Sequence, residues 1–257
     1  SQRSMIADTM KWKYTSNYVM KDNLAMLDIL AHNNWKRPIC FAITVGSENL
    51  IGLQPYLYKE GFVYHLMPLK PDTSVRDENG KTNSLVMYNN VMNKFKFGNF
   101  KTAKYLDHES TTMFYPVMIS TFLDLAQGLI RDGHPDLALK VIHKYDEVLP
   151  DLNVDMHTVG SKFFMAQTAY QLHDITLGNK IITHIDDYIT DQLDYYARQI
   201  DNNSGAFNVR DAQIGMQLIN AMADETKNAH QTALANKLQA QTKAYEAKLA
   251  SIFRQQQ

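Results

Sequence analysis

The sequence predicts a mostly helical protein with a small α+β unit at its N-terminal end and paired helices through its C-terminal half. Three observations carry this. Runs of β-branched and aromatic residues at 39–45 and 62–67 are confined to the first third of the 257-residue chain. From Met113 onward apolar residues recur at helical spacing. Between two such stretches, Asp132-Gly133-His134-Pro135 offers a glycine stop and a first-turn proline. Apolar residues make up 45% of the chain, enough for one large core or two modest ones.

In order along the chain, residues 1–20 read as a lead-in segment with Trp12, Tyr14 and Tyr18. Asp22 is suited to cap a helix over 23–33. Leu24, Met26, Leu27, Ile29 and Leu30 make that helix apolar nearly all round, so deep burial is expected. Pro38 ends it. Ile39 to Val45 reads as a buried strand, with Cys40 a small buried hydrophobe. Leu50 to Lys59 reads as a short helix interrupted by Pro55 and stopped by Gly61. Phe62 to Met67 reads as a strand with Phe62, Tyr64 and Leu66 on one face. Residues 68–83 form a Pro/Asp/Gly loop, and Leu85 to Lys94 a further helix. The expected division is a small α+β unit over 1–105 and a helical repeat region over 106–257, ending in a long terminal helix.

The repeat reading rests on matched spacing. Phe122, Leu125, Ala126 and Leu129 would fill the first helix of a hairpin, and Ala138, Ile142 and Pro150 the second. Met165, Ala166 and Ala169, then Gly178 and Ile182, repeat this 40 residues on. Small residues at 126 and 138, and again at 166 and 178, let facing helices approach. This is the TPR-like pattern of α-α hairpins, whose usual period is about 34 residues, so residues 151–158 read as an insertion. Lys162 occupies the position of Phe122 and weakens the second copy. A third pair, over 208–222 and 226–253, has lost the small-residue register, as a capping repeat does.

Net charge is −1, which excludes a global field that recruits nucleic acid. Residues 1–105 hold 14 Lys/Arg against 8 Asp/Glu, and residues 106–257 hold 12 against 19. Either this is ordinary surface bias, or the basic half sits near anionic lipid headgroups. One cysteine excludes an internal disulfide and a zinc-thiolate cluster. No stretch reaches the roughly 20 apolar residues of a membrane span, since Asp28, Thr44 and Asp124 interrupt the longest ones. The start has neither an initiating Met nor a signal-peptide pattern, which reads as a fragment of a longer protein.

No nucleotide-binding glycine loop, hydrolase elbow or paired-histidine zinc motif is present. Asp186, Asp187, Asp191 and Asp194 form the densest carboxylate group. On one helix Asp187, Asp191 and Asp194 lie along one face, which suits a solvated surface, or less well a cation. Trp35-Lys36-Arg37 has two readings. An aromatic plate beside fixed cations suits stacking on a sugar and contact with a phosphate. Alternatively, Trp35 packs in the core and the cations stay wet at a helix-to-strand corner. Tyr56, Tyr58, Tyr64, Tyr88 and Tyr105 are expected to pack.

Several blocks carry a resemblance: Asn34-Trp35-Lys36-Arg37-Pro38-Ile39-Cys40-Phe41-Ala42, Gly52-Leu53 with Tyr56-Leu57, and Glu60 to Pro68. Tyr88 to Gly98 and Tyr105 to Ser110 follow in order. Over about residues 20–200 the chain resembles the C-terminal soluble region of a bacterial family of large polytopic membrane proteins. That family is grouped with GT-C type glycosyltransferases and is similar to an animal protein O-mannosyltransferase. Cys40 stands where that family usually has Tyr, and His65 and Met67 where many members have Arg and Val. The resemblance implies a parent chain whose catalytic carboxylate lies upstream and whose soluble end faces the periplasm. A basic juxtamembrane half alone would favour the cytoplasm, but long soluble regions escape that rule.

The function expected is a non-catalytic accessory or interaction domain of a membrane-embedded glycosyltransferase-like protein. No catalytic, cofactor-binding or metal residue is expected in this stretch, and no cofactor. Trp35, Lys36 and Arg37 are the candidate contacts to a ligand or partner. Partners would be the membrane-embedded part of the same chain and a peptide, glycan or protein on the repeat surface, with no nucleic acid. The alternatives are a domain that completes or gates the glycosyltransferase site, and a free-standing TPR-type adaptor.

Overall fold

The computed structural model describes residues 5–14, 17–70, 81–201 and 209–250. It is mostly helical with a small mixed sheet near the N-terminal end, as the sequence predicts. The chain divides into two compact units, Ser1–Lys96 and Phe97–Gln257. The loop residues Pro71, Asp72, Asp77, Asn79 and Gly80, together with Asn208, Ile252 and Phe253, lie outside the described residues.

In the first unit, helix α1 (Lys21–Asn33) precedes β1 (Cys40–Ala42), β2 (Leu57–Lys59), β3 (Val63–Leu66) and β4 (Lys81–Thr82). Helix α2 (Ser84–Asn89) follows and runs into a π-turn over Asn90–Lys94. The sheet order is β1-β3-β2-β4. β3 pairs antiparallel with both β1, where Phe41 faces Tyr64, and β2, where Tyr58 faces His65, while β4 joins β2 in parallel. The core is Leu50, Ile51, Leu53, Tyr56, Leu57, Tyr64 and Leu66. Met26, Leu27 and Leu30 of α1 lie against it from one side, and Ile39, Phe41, Ile43 and Val45 along the β1 segment.

Four expectations are corrected here. α1 is not deeply buried: Leu24 and Ile29 are exposed and Asn23 is its one fully buried residue. Asp22 does not cap it; the Asn23 side-chain oxygen accepts the Met20 N–H instead. The strand at 39–45 is short and lies on the sheet edge, so its residues alternate. Ile39, Phe41, Ile43 and Val45 turn inward, and Cys40 is exposed rather than buried. The helix at 50–59 is two 3₁₀ turns, Ser47–Leu50 and Gln54–Tyr56, followed by β2. Ile51 (φ 44°) and Gly52 (φ 83°) are both left-handed, which no helix tolerates. A Cβ at Gly52 would meet the Lys13 carbonyl oxygen at 2.4 Å, so glycine is required where the lead-in segment crosses.

Among its described residues the second unit has six α-helices, arranged in three hairpins: α3 (Tyr115–Arg131) with α4 (Pro135–Val148), α5 (Met156–Gln171) with α6 (Ile175–Asp201), and α7 (Val209–Asn228) with α8 (Thr232–Lys248). α3 also packs on α5, and α5 on α7, so the first helices of successive hairpins adjoin. The repeated positions are core. Phe122, Leu125, Ala126, Leu129, Ala138 and Ile142 are buried, as are Met165, Ala166, Ala169 and Ile182. A Cβ at Gly178 would meet the Tyr170 ring at 2.5 Å, which is why this position takes the smallest residue.

Each hairpin turns with one chemistry. At the first, the Gly133 N–H bonds Ile130 O (3.1 Å) and the His134 N–H bonds Leu129 O (2.8 Å). The second repeats this at His173 to Tyr170 and Asp174 to Ala169, and the third at His230 to Lys227 and Gln231 to Thr226. This is the Schellman stop, with a left-handed residue at Gly133 (φ 81°), His173 (φ 61°) and His230 (φ 60°). Histidine in place of glycine hid two of the three turns from the sequence reading.

Helix residues Ser110–Arg131 are long and apolar enough to cross a membrane by length and composition, which corrects the expectation that no stretch is. Their apolar face, including Tyr115, Ile119, Phe122 and Leu125, is buried among the helices of this unit, as in the core helix of a bundle.

Candidate functional site

The Trp35-Lys36-Arg37 corner is built by the end of α1. Asn34 (φ 48°) and Trp35 (φ 56°) are both left-handed, and neither is glycine. The Lys36 N–H bonds Asn33 O (3.0 Å), and the Asn33 side-chain amide bonds Arg37 O (2.8 Å), which clamps the corner. A left-handed tryptophan costs about 1–2 kcal/mol in steric repulsion, so the surrounding clamp has to hold it there. Trp35 is 51% exposed, and Lys36 and Arg37 are exposed beside it. The reading in which Trp35 packs in the core is therefore wrong. The reason is backbone geometry: two successive left-handed residues swing the ring outward at the point where the chain leaves α1.

The tyrosines divide. Tyr56 and Tyr64 are buried, and the Tyr56 hydroxyl both accepts the Lys11 N–H (2.8 Å) and donates to Lys11 O (3.0 Å). Tyr58 and Tyr88 are half-buried, while Tyr105 is exposed.

The second unit holds a groove of about 520 Å³ between the first turns of α5 and α7. Met156, Gly160 and Phe164 of α5, the last 56% exposed, and Ile214 and Leu218 of α7 give it an apolar lining. Asp155, His157, Arg210 and Asp211 stand at its polar end. Asp155 caps α5 by accepting the Thr158 N–H (2.7 Å). No short motif announces this groove; it is assembled from two helices that start 53 residues apart, at Met156 and Val209.

Lys162 replaces an aromatic core residue with a charge, and the structure shows how. Its side chain is 1% exposed, and its ammonium is ion-paired with Asp151 and donates to Asn153 Oδ1 (2.6 Å) and Leu152 O (3.3 Å). Asp151 also bonds His184. The Tyr115 hydroxyl donates to Pro150 O (2.7 Å) and accepts the Leu152 N–H (3.1 Å). The segment read as an insertion is thus tied down by buried polar contacts from α3 and α5. Burial by itself would raise the Asp151 carboxyl, but the Lys162 ammonium and His184 hold it below the usual carboxylate range. Burial pushes the Lys162 ammonium below its ordinary value despite Asp151.

The face read over Asp187, Asp191 and Asp194 is accessible to solvent, and Asp186 lies off it. Asp187 and Asp191 are exposed, but Asp186 is fully buried and pairs with Lys237 of α8 (2.7 Å), and Asp194 pairs with Lys248 (3.1 Å). Burial of Asp186 is set by the facing helix α8, which its sequence neighbours do not reveal. Among the described residues no group of three or more His, Cys, Asp or Glu is placed to hold a metal ion.

Comparison with known proteins adds one finding. No curated protein and no solved structure matches the chain. Residues 1–86, which contain the whole sheet and the Trp35-Lys36-Arg37 corner, match the family described as TMEM260-associated domain 2.

Proposed function

We propose that this chain is a non-catalytic accessory and interaction domain of a membrane-embedded, glycosyltransferase-like protein, standing on the periplasmic face of the inner membrane. The observation that carries the reading is the family match over residues 1–86, a domain associated with a membrane-protein family by its description. In this reading the small α+β unit contacts the membrane-embedded part of the same chain. The TPR-like hairpins offer the α5–α7 groove to a peptide, glycan or protein, an apolar lining with an exposed aromatic ring being suited to an apolar anchor with polar flanks. The test is fractionation of native cells, blotted with an antibody to this domain. A band much heavier than 29.5 kDa in the inner-membrane fraction, reached by protease added to spheroplasts, is the expected result. A soluble band near 29.5 kDa overturns the reading in favour of a free-standing TPR-type adaptor.

One observation favours a second reading. Trp35 is exposed on a strained backbone beside two exposed cations, which is the arrangement that a contact to a lipid-linked sugar or an acceptor needs. In that reading the domain completes or gates the membrane enzyme's site. Trp35→Ala in the full-length protein would then abolish transfer while leaving membrane insertion intact.

A further inference from the structure

Both tryptophans of the chain are exposed in the same compact unit, Trp12 at 38% and Trp35 at 51%. Large aromatic side chains ordinarily bury most of their surface on folding. Here Trp35 keeps half of its surface in solvent and Trp12 more than a third. The Tyr56 hydroxyl clamps the Lys11 backbone next to Trp12, and the Lys13 carbonyl lies close over Gly52. The Tyr14 hydroxyl then bonds Asn23 Oδ1 (3.2 Å) and Tyr18 O (3.1 Å), which ties Tyr14 to the start of α1. Tyr18, Met20 and Leu24 are exposed at that end of the helix. Trp35 stands at the other end, about 20 Å away along a 13-residue helix.

Cations are interleaved with these side chains. Between residues 11 and 37, Lys11, Lys13, Lys21, Lys36 and Arg37 are all exposed. The acids in that stretch are Asp22, which accepts the Asn23 N–H, and Asp28, paired with His32 at 3.2 Å. Lysine is depleted at protein–protein interfaces, where arginine and aromatics dominate. Exposed tryptophan and tyrosine among lysines is instead the composition of a surface that rests on lipid headgroups, rings at headgroup depth and ammonium groups among the phosphates.

We propose that the exposed residues Lys11, Trp12, Lys13, Tyr18, Lys21 and Leu24, with the Trp35-Lys36-Arg37 corner, dock on an anionic bilayer surface. It deepens the accessory-domain reading by naming the face turned to the membrane. The two fail separately, because docking is tested on the isolated 257-residue chain and the parent protein's architecture in native cells.

The experiment is titration of this chain with phosphatidylcholine vesicles, with and without phosphatidylglycerol, read by intrinsic tryptophan emission and vesicle co-sedimentation. The expected result is a blue shift with the anionic vesicles, binding about tenfold or more tighter than to neutral ones, and reversal at high salt. Lys36→Glu with Arg37→Glu should weaken binding at least several-fold. Lys227→Glu with Lys243→Glu, which changes net charge equally on exposed positions of the helical unit, should leave it unchanged. Unaltered circular dichroism in both double variants establishes that they fold. Absence of a blue shift with anionic vesicles overturns the proposal and leaves these residues to a protein partner. Equal weakening by the two double variants overturns it too, because binding would then follow net charge alone.

Discussion

Removing the countercharge of Lys162 is the sharpest perturbation this protein offers. The Lys162 side chain is 1% exposed, and Asp151 is its one carboxylate partner among its described contacts. Asp151→Ala would leave its ammonium buried on two neutral acceptors, Asn153 Oδ1 and Leu152 O. Breaking a buried pair from one side costs about 3–5 kcal/mol. Asp151 keeps 28% of its side chain in solvent, so screening reduces this, and about 2–3 kcal/mol is expected. For a unit of this size that lowers the melting temperature by roughly 5–10 °C. Lys162→Met should behave differently. It restores an apolar side chain of similar length at the position matched by Phe122 and leaves Asp151 its His184 contact, so a change within about 1 kcal/mol is expected. The double variant should recover most of the loss seen in Asp151→Ala. Urea unfolding followed by far-ultraviolet circular dichroism measures all three. If Lys162→Met costs as much as Asp151→Ala and the double variant recovers nothing, the buried charge is not what makes Asp151 necessary. The site would then serve only to tether the 151–153 segment.

The same carboxylate sets an acid response. Its pKa is lowered in the folded protein, so the unfolded chain takes up the proton first as pH falls. The stabilisation is complete above the ordinary carboxylate range and is lost as pH falls through the folded value. Urea midpoints measured from neutral pH downward should drop less steeply in Asp151→Ala than in the native chain. Gly178→Ala should destabilise by about 1–3 kcal/mol through its clash with the Tyr170 ring, as read from thermal melting. Gly133→Ala, with open space around it but φ at 81°, should cost only about 1 kcal/mol by the same measurement. Trp35→Asn should cost no more than about 2 kcal/mol by calorimetry, since the half-exposed ring gives up only part of a core aromatic's burial and asparagine tolerates the left-handed backbone. A loss of about 3–5 kcal/mol, as for a core aromatic, would contradict the exposed position.

The helical half was legible because its periodicity and its steric needs reside in single residues. Ala126, Ala138, Ala166 and Gly178 are small where helices meet, and Gly133 stops a helix wherever it is placed. The third hairpin was less legible, because its turn uses His230, a residue with no left-handed preference strong enough to be read. In the first half, the run from Leu50 to Lys59 is apolar in a way that suits either a short helix or a strand. What decides for β2 is pairing with β3, together with the crossing of the lead-in backbone over Gly52, both contacts with residues distant in sequence.

The charged and exposed groups show the same division. That Lys162 sits at a core position follows from the 40-residue spacing. That it can stay charged there follows only from Asp151 and Asn153 being folded back onto it, because burial of an ion is tolerated only when a partner arrives with it. The residue types at Trp35, Lys36 and Arg37 marked a corner worth attention, but whether the ring faces core or solvent was open. Helical class, the register of the first two hairpins and the separation of basic and acidic halves are all written in local periodicity and composition. The outward turn of Trp35, the pairing of Asp186 and the groove between α5 and α7 emerge on folding. The pairing and the groove depend on which distant helix lies alongside, and the turn of Trp35 depends on two successive left-handed residues that neither side chain favours.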